Sequence, residues 1–199
     1  SDAQPIQLDS VTVTGQNNFF ILKGNTTTTG MYDIMVDRGG LMIPLVNDEP
    51  EITVNLDFSN KEKFYSVNGS AASKQLQDFI YSYSDYSNVI NKELTTIDSL
   101  KKLEAPDSLL IIATNEKNKA IDGLNNFLKK YLPSIKQGTV ASFALGRSAQ
   151  TLTTVDFEME MNKLLQKFPQ DASLAAIKNQ YNAFKAQSEE RERQLQQGS

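Results

Sequence analysis

Cysteine and histidine are both absent from the 199 residues. Without cysteine the chain has no disulfide, no Cys-x-x-Cys redox pair and no thiolate zinc site. Without histidine it lacks the base of the usual Ser-His and Cys-His nucleophile pairs and the commonest metal-binding imidazole. Carboxylates, lysines, tyrosines and hydroxyls are the reactive groups that remain, and no catalytic residue, metal ligand or cofactor site emerges from them. A basic excess is missing too: 20 Lys and Arg stand against 24 Asp and Glu, for a net charge of −4. That balance argues against a nucleic-acid partner. No apolar run approaches the ~18 residues of a membrane span. Ser1-Asp2-Ala3-Gln4 is no signal peptide and reads as a processed or engineered start. Zero cysteine is compatible with cytosol and periplasm alike.

The composition present, 39% apolar and 22% charged, suits a globular protein. Its organising stretch runs from Phe64 to Ile80. Before it the apolar residues alternate with period two; after it they recur every three or four residues, so strand gives way to helix. Asn68-Gly69 supplies the turn, and Ser70 or Ser73 caps the first helix. Upstream, Ile6 to Val13 reads as one or two short strands, Gly15 to Asn18 as a turn, and Phe19 to Lys23 as the hairpin partner. Tyr32, Ile34 and Val36 alternate next, followed by Leu41 to Val46, where Pro44 marks an edge strand or a bulge. Glu51 to Phe58 is the cleanest half-buried strand, and Phe64 to Val67 is a short last one. Short connections favour an antiparallel sheet or small sandwich.

From Ser70 onward the pattern is helical. Leu76, Ile80, Tyr83, Ser87, Ile90, Leu94 and Ile97 predict a helix over about 71–103, roughly 45–50 Å long. Pro106-Asp107-Ser108 starts a second helix reaching Tyr131, antiparallel to the first, and Pro133 breaks it. Ser142 to Leu145 lies in a shorter helix closed by Gly146. Thr153 or Thr154 caps a fourth, and Asp171 a fifth. The chain is therefore read as α+β: an antiparallel β domain over 1–69, a helical domain of four to five helices over 70–187, and a polar linker over 188–199.

Three sets of residues invite a functional reading. Asp156 and Glu160 stand at i, i+4 on one helix face and can be read as a cation site or an acid–base pair. First-turn dipole matching accounts for the same acids. Tyr81, Tyr83 and Tyr86 sit in a Ser-rich stretch, and Tyr81 with Tyr86 can be read as a stacking platform for a glycan. Helix packing accounts for the same aromatics. Asn25-Thr26-Thr27 and Asn68-Gly69-Ser70 match the glycosylation sequon but are already explained as turns.

Five stretches together resemble a known family: Gln7 to Val13, Phe19 to Gly24, Met31 to Ile34, Glu51 to Leu56, and Val67-Asn68-Gly69-Ser70. They are similar to the N-terminal domain of unknown function that precedes the thioredoxin-like domain of periplasmic TlpA/ResA-like thiol-disulfide oxidoreductases. Thr151 to Pro169 is similar to the helical bridge of that family. The resemblance implies a non-catalytic accessory region, extracytoplasmic and lipid-anchored in the full-length protein. It would position the redox domain and dock or dimerise through its long first helix. The thioredoxin-like domain, with its Cys-x-x-Cys, would follow the polar run and be the partner of this segment. No catalytic residue carries over, because none of the 199 residues is a cysteine. The runner-up reading is a stand-alone surface module binding a glycan or a protein.

Overall fold

The computed structural model describes residues 6–14, 19–36 and 40–197. The turns expected at 15–18 and after Val36 lie wholly or mostly outside them. Among the described residues four strands form two antiparallel pairs: β1 (Met31–Val36) with β2 (Leu41–Val46), and β3 (Thr53–Leu56) with β4 (Tyr65–Asn68). Ile34 faces Ile43 across the first pair, and Val54 faces Val67 across the second. Ile43, Tyr65 and Val67 are buried between the pairs, ringed by Ile34, Val36, Leu45, Val54 and Leu56. The β unit is thus a small sandwich of two-stranded sheets, followed by five α-helices: an α+β chain.

Two strand expectations are corrected. Ile6–Thr14 and Phe19–Lys23 carry no ladder. The Asp9 carboxylate accepts from Lys23 N–H at 2.8 Å, in the place a strand carbonyl would take. Ile6, Leu8, Val11, Val13, Phe19 and Ile21 stay exposed because no sheet face lies beneath them. The strand expected over 51–58 shortens to Thr53–Leu56, because Asp57 accepts from both the backbone and the hydroxyl of Ser59 and bends the chain. Phe58 is left exposed.

Pro44 costs the first sheet nothing. Val46 turns both its N–H and its C=O away from β1, toward Ser73, and Pro44, two residues earlier, faces the same way. No ladder donor is lost there.

The helices are α1 (Ala71–Lys102), α2 (Asp107–Tyr131), α3 (Gly138–Ser148), α4 (Thr154–Lys167) and α5 (Ala172–Gln197), with a 3₁₀ turn at Leu132–Ser134. Ser70 is the cap of α1: its Oγ accepts from Ser73 N–H at 2.8 Å and donates to Asp48 at 2.5 Å. Gly69, at φ +88°, makes the turn before it, and a Cβ there would stand 2.8 Å from Glu51 O. Thr153 caps α4, and Asp171 accepts from Leu174 N–H at the head of α5. Gly146 does not close α3, which runs from Gly138 through Ser148. It lies exposed within the helix, where glycine costs about 1 kcal/mol relative to Ala but breaks no hydrogen bond. Residues 188–197 continue α5 as helix.

The main core joins Leu76 and Phe79 of α1, Leu124 and Leu128 of α2, Leu145 of α3 and Leu164 of α4. Val46 of β2 belongs to this same core. The sandwich and the helices therefore share buried surface across the expected boundary at residue 69.

Candidate functional site

α1 meets the sandwich through a polar stripe. Ser73, Gln77 and Tyr81 follow one another at i, i+4 and i+8, so they lie along one helix face. Ser73 Oγ accepts from Val46 N–H at 2.9 Å and donates to Val46 O at 3.0 Å. Gln77 donates from Nε2 to Tyr65 O, and its Oε1 accepts from Val67 N–H at 3.4 Å. The Tyr81 hydroxyl donates to Tyr65 O at 2.5 Å and accepts from Tyr65 N–H at 3.0 Å. Three side chains of one helix thus occupy the open edges of β2 and β4 as a further strand would. An open strand edge invites pairing with another chain, and this stripe closes two of them.

Beside the stripe opens a polar cleft of about 480 Å³. Lys63 and Lys74 line it against Asp78 and Asp85, with Tyr65 and Tyr81 at its inner wall. Lys74 pairs with Asp78 along α1. The Tyr65 hydroxyl is buried and has no hydrogen-bond partner among the described residues. Burial pushes the Tyr65 phenol far above its ordinary value, and the nearby Tyr81 and Asp78 add to the shift. That phenol stays neutral and is no general base.

Tyr86 lies elsewhere. It lines an apolar groove of about 460 Å³ with Gly123, Asn126, Phe127, Lys130 and Tyr131. The Tyr86 and Phe127 ring centroids are 5.8 Å apart, and those of Phe127 and Tyr131 5.3 Å. Gly123 makes the close approach possible, since a Cβ there would stand 3.0 Å from the Tyr86 ring. Tyr131 is fixed by donating its hydroxyl to Gln75 O at 2.6 Å. Tyr81 packs with the sandwich core and Tyr86 with the helical core, so the two do not form one platform.

Asp156 and Glu160 share a helix but not an environment. Asp156 sits 2.8 Å from Lys129 Nζ of α2 and accepts from the Thr153 hydroxyl at 2.9 Å. The Lys129 ammonium, followed by the Thr153 hydroxyl, holds its carboxyl below the usual carboxylate value. Glu160 is 2% exposed, pairs through Oε1 with Lys163 at 2.7 Å, and leaves Oε2 unpartnered among the described residues. Neither acid lines either groove. Each is committed to a neighbouring lysine, an arrangement that suits structure better than proton transfer. Among the described residues no group of three or more Asp and Glu is placed to hold a metal. No helix there is long and apolar enough to cross a membrane.

Sequence reasoning passed over Gln77 and read Ser73 only as a cap candidate, although both side chains bond the strand edges. The available signal was their spacing with Tyr81: a polar i, i+4, i+8 stripe beside the apolar one on α1.

A family model described as a domain of unknown function, DUF4369, matches residues 1–76. The match covers the sandwich and the first turn of α1, including Ser73, and ends one residue before Gln77. No curated protein and no solved structure matches the chain.

Proposed function

We propose that this chain is the non-catalytic N-terminal accessory region of an extracytoplasmic thiol-disulfide oxidoreductase, a scaffold that positions a thioredoxin-like domain. The match of the domain-of-unknown-function model to residues 1–76 carries the reading, because it falls on the β unit whose stretches resemble that family. The closed edges of β2 and β4 support it: a rigid, non-aggregating platform suits a positioning role. So does α5, whose described side chains between Asn182 and Leu195 are almost all exposed. Its last 16 residues, 182–197, rise about 24 Å as helix and act as a semi-rigid spacer. A periplasmic location, with a lipid anchor in the full-length protein, belongs to the same proposal. In it, reactive sulfur is supplied by the partner domain and substrate geometry by this chain.

The coding sequence beyond Ser199 is the direct test. A thioredoxin-like segment with Cys-x-x-Cys is the expected result, and a frame without one removes the redox connection. Given that segment, the two-domain protein should share the reduction potential of the isolated redox domain but differ in its rate toward folded disulfide substrates.

A second reading rests on the aromatic groove. Tyr86, Phe127 and Tyr131 offer half-exposed ring faces flanked by the Asn126 amide and the Lys130 ammonium, a surface suited to stacking a sugar. Binding to arrayed glycans that Tyr86→Ala abolishes would favour it. An inert array would retire it.

A further inference from the structure

α1 and α2 run for 32 and 25 residues, past the inner halves that the helical core buries. Over residues 87–122 only Ile97 and Ala113 are buried, one on each helix, and each marks the inward face of its helix. Six large apolar side chains in or beside this stretch are exposed: Val89, Leu94, Leu103, Leu109, Ile111 and Ile112, with Leu103 at 76%. Two helices packed only on each other bury one stripe apiece, so any wider apolar stripe is left to water.

The exposed residues are not spread evenly. At about 100° per residue, Val89, Thr96 and Leu103 lie about 80°, 100° and 120° from Ile97 in the same rotational sense. Leu109 and Ile112 lie about 40° and 100° from Ala113, again in that sense. A two-fold axis perpendicular to their plane relates the helices of an antiparallel hairpin, so equal rotations fall on the same side. Val89, Leu103, Leu109 and Ile112 therefore share one side of the arm, whereas Leu94 and Ile111 turn the other way.

Lys92, Glu93, Glu116 and Lys119 fall on or beside that same side, nearer the body. Two lysines and two glutamates make it electrically self-complementary, while Leu103, Leu109 and Ile112 gather toward the tip and Val89 lies on the body side of the band. The whole arm carries five lysines against six acids over 87–122, a net charge of −1, which gives a strongly charged partner nothing to hold.

We propose that this side of the arm packs on the same side of a second copy, the two arms parallel about a two-fold axis, as a four-helix bundle. Tip then meets tip, apolar on apolar, and the mixed lysine–glutamate band meets its own copy. A face about 24 Å long and two helices wide covers about 500 Å² per copy, or about 1,000 Å² in all, the low end of specific interfaces. The dimer is accordingly weak, forming at micromolar concentrations or above. This inference names the partner for the dimerisation expected of the long first helix and uses nothing from the redox reading.

Light scattering on the whole chain tests it. The mass should climb from 22.2 kDa toward twice that value as concentration rises from about 1 μM to about 1 mM. Leu109→Glu with Ile112→Glu should hold it monomeric with an unchanged melting curve, since both side chains are already exposed in the monomer. The absence of cysteine makes a second measurement clean. Leu109→Cys, about 40° from the seam and so near the two-fold axis, should oxidise to a covalent dimer, and Ile111→Cys, on the far side, should not. A wild-type chain that stays monomeric throughout, or equal cross-linking from both cysteines, overturns the arm. Either result leaves the reading-frame test of the redox connection untouched.

Discussion

Tyr81 and Tyr65 sit 5.2 Å apart, ring to ring, yet their hydroxyls do opposite things. That of Tyr81 satisfies both backbone groups of Tyr65 at the open edge of β4, whereas that of Tyr65 is buried with no partner among the described residues. Tyr81→Phe strands a backbone donor and an acceptor and should cost about 1–3 kcal/mol by urea denaturation. Tyr65→Phe removes an unpaired buried hydroxyl and should be neutral or stabilising. Equal losses in the two variants would mean that the seam contributes nothing specific. Tyr81 was legible in the sequence only as an aromatic off the apolar stripe, which left the glycan platform open. Its partner lies 16 residues away across the β-to-α turn, and nothing local announces such a bond. Ser73 was legible as a cap candidate, but Ser70 took that role and freed the Ser73 hydroxyl for Val46, 27 residues off.

Elements with strong periodicity and a chemical stop were read closely. α1 was expected over about 71–103 and spans Ala71–Lys102, because a serine cap, a long apolar stripe and a downstream proline all agree. The N-terminal strands had periodicity alone, without a sheet to receive them, and stayed unpaired. Gly146 was mistaken for a stop because glycine's preference for helix ends is a tendency, and an exposed site within a helix tolerates it. At the head of α4, the Thr153 cap was legible, but the ion pair from Asp156 to Lys129 of α2 was not. Lys129 holds the Asp156 carboxyl below the ordinary 3.8, so the charged form is favoured by the folded state. That stabilisation is complete above the ordinary carboxylate value and fades as pH falls through the lowered one. Thermal melts of Asp156→Asn should therefore lie below wild type at neutral pH, with the gap closing as pH falls below the ordinary carboxylate value. A gap independent of pH would show that the carboxylate charge contributes nothing there, neither through Lys129 nor through the Thr153 hydroxyl.

At the scale of the molecule, buried surface and hydrogen bonds cross the division at residue 69, where strands give way to helices. Val46 is wholly buried in the helical core, and the open edges of β2 and β4 are closed by side chains of α1. Composition and periodicity show where strands end and helices begin, but they carry no record of which surfaces a chain shares. A fragment of residues 1–69 keeps every strand and loses Ser73, Gln77 and Tyr81 together. It leaves the edge groups of Val46, Tyr65 and Val67 open on a sandwich whose own cluster buries only Ile43, Tyr65 and Val67, too small a core to offset the ordering entropy of its chain. Such a fragment should show the narrow amide dispersion of an unfolded chain in proton–nitrogen NMR spectra, or aggregate through its open edges. Extending it to residue 102 restores the stripe but not α2, and should recover at most a partly ordered state. The full chain should melt in one transition, with strand and helix signals lost together. A well-dispersed spectrum from residues 1–69 would show that the sandwich stands alone and that the stripe only decorates it.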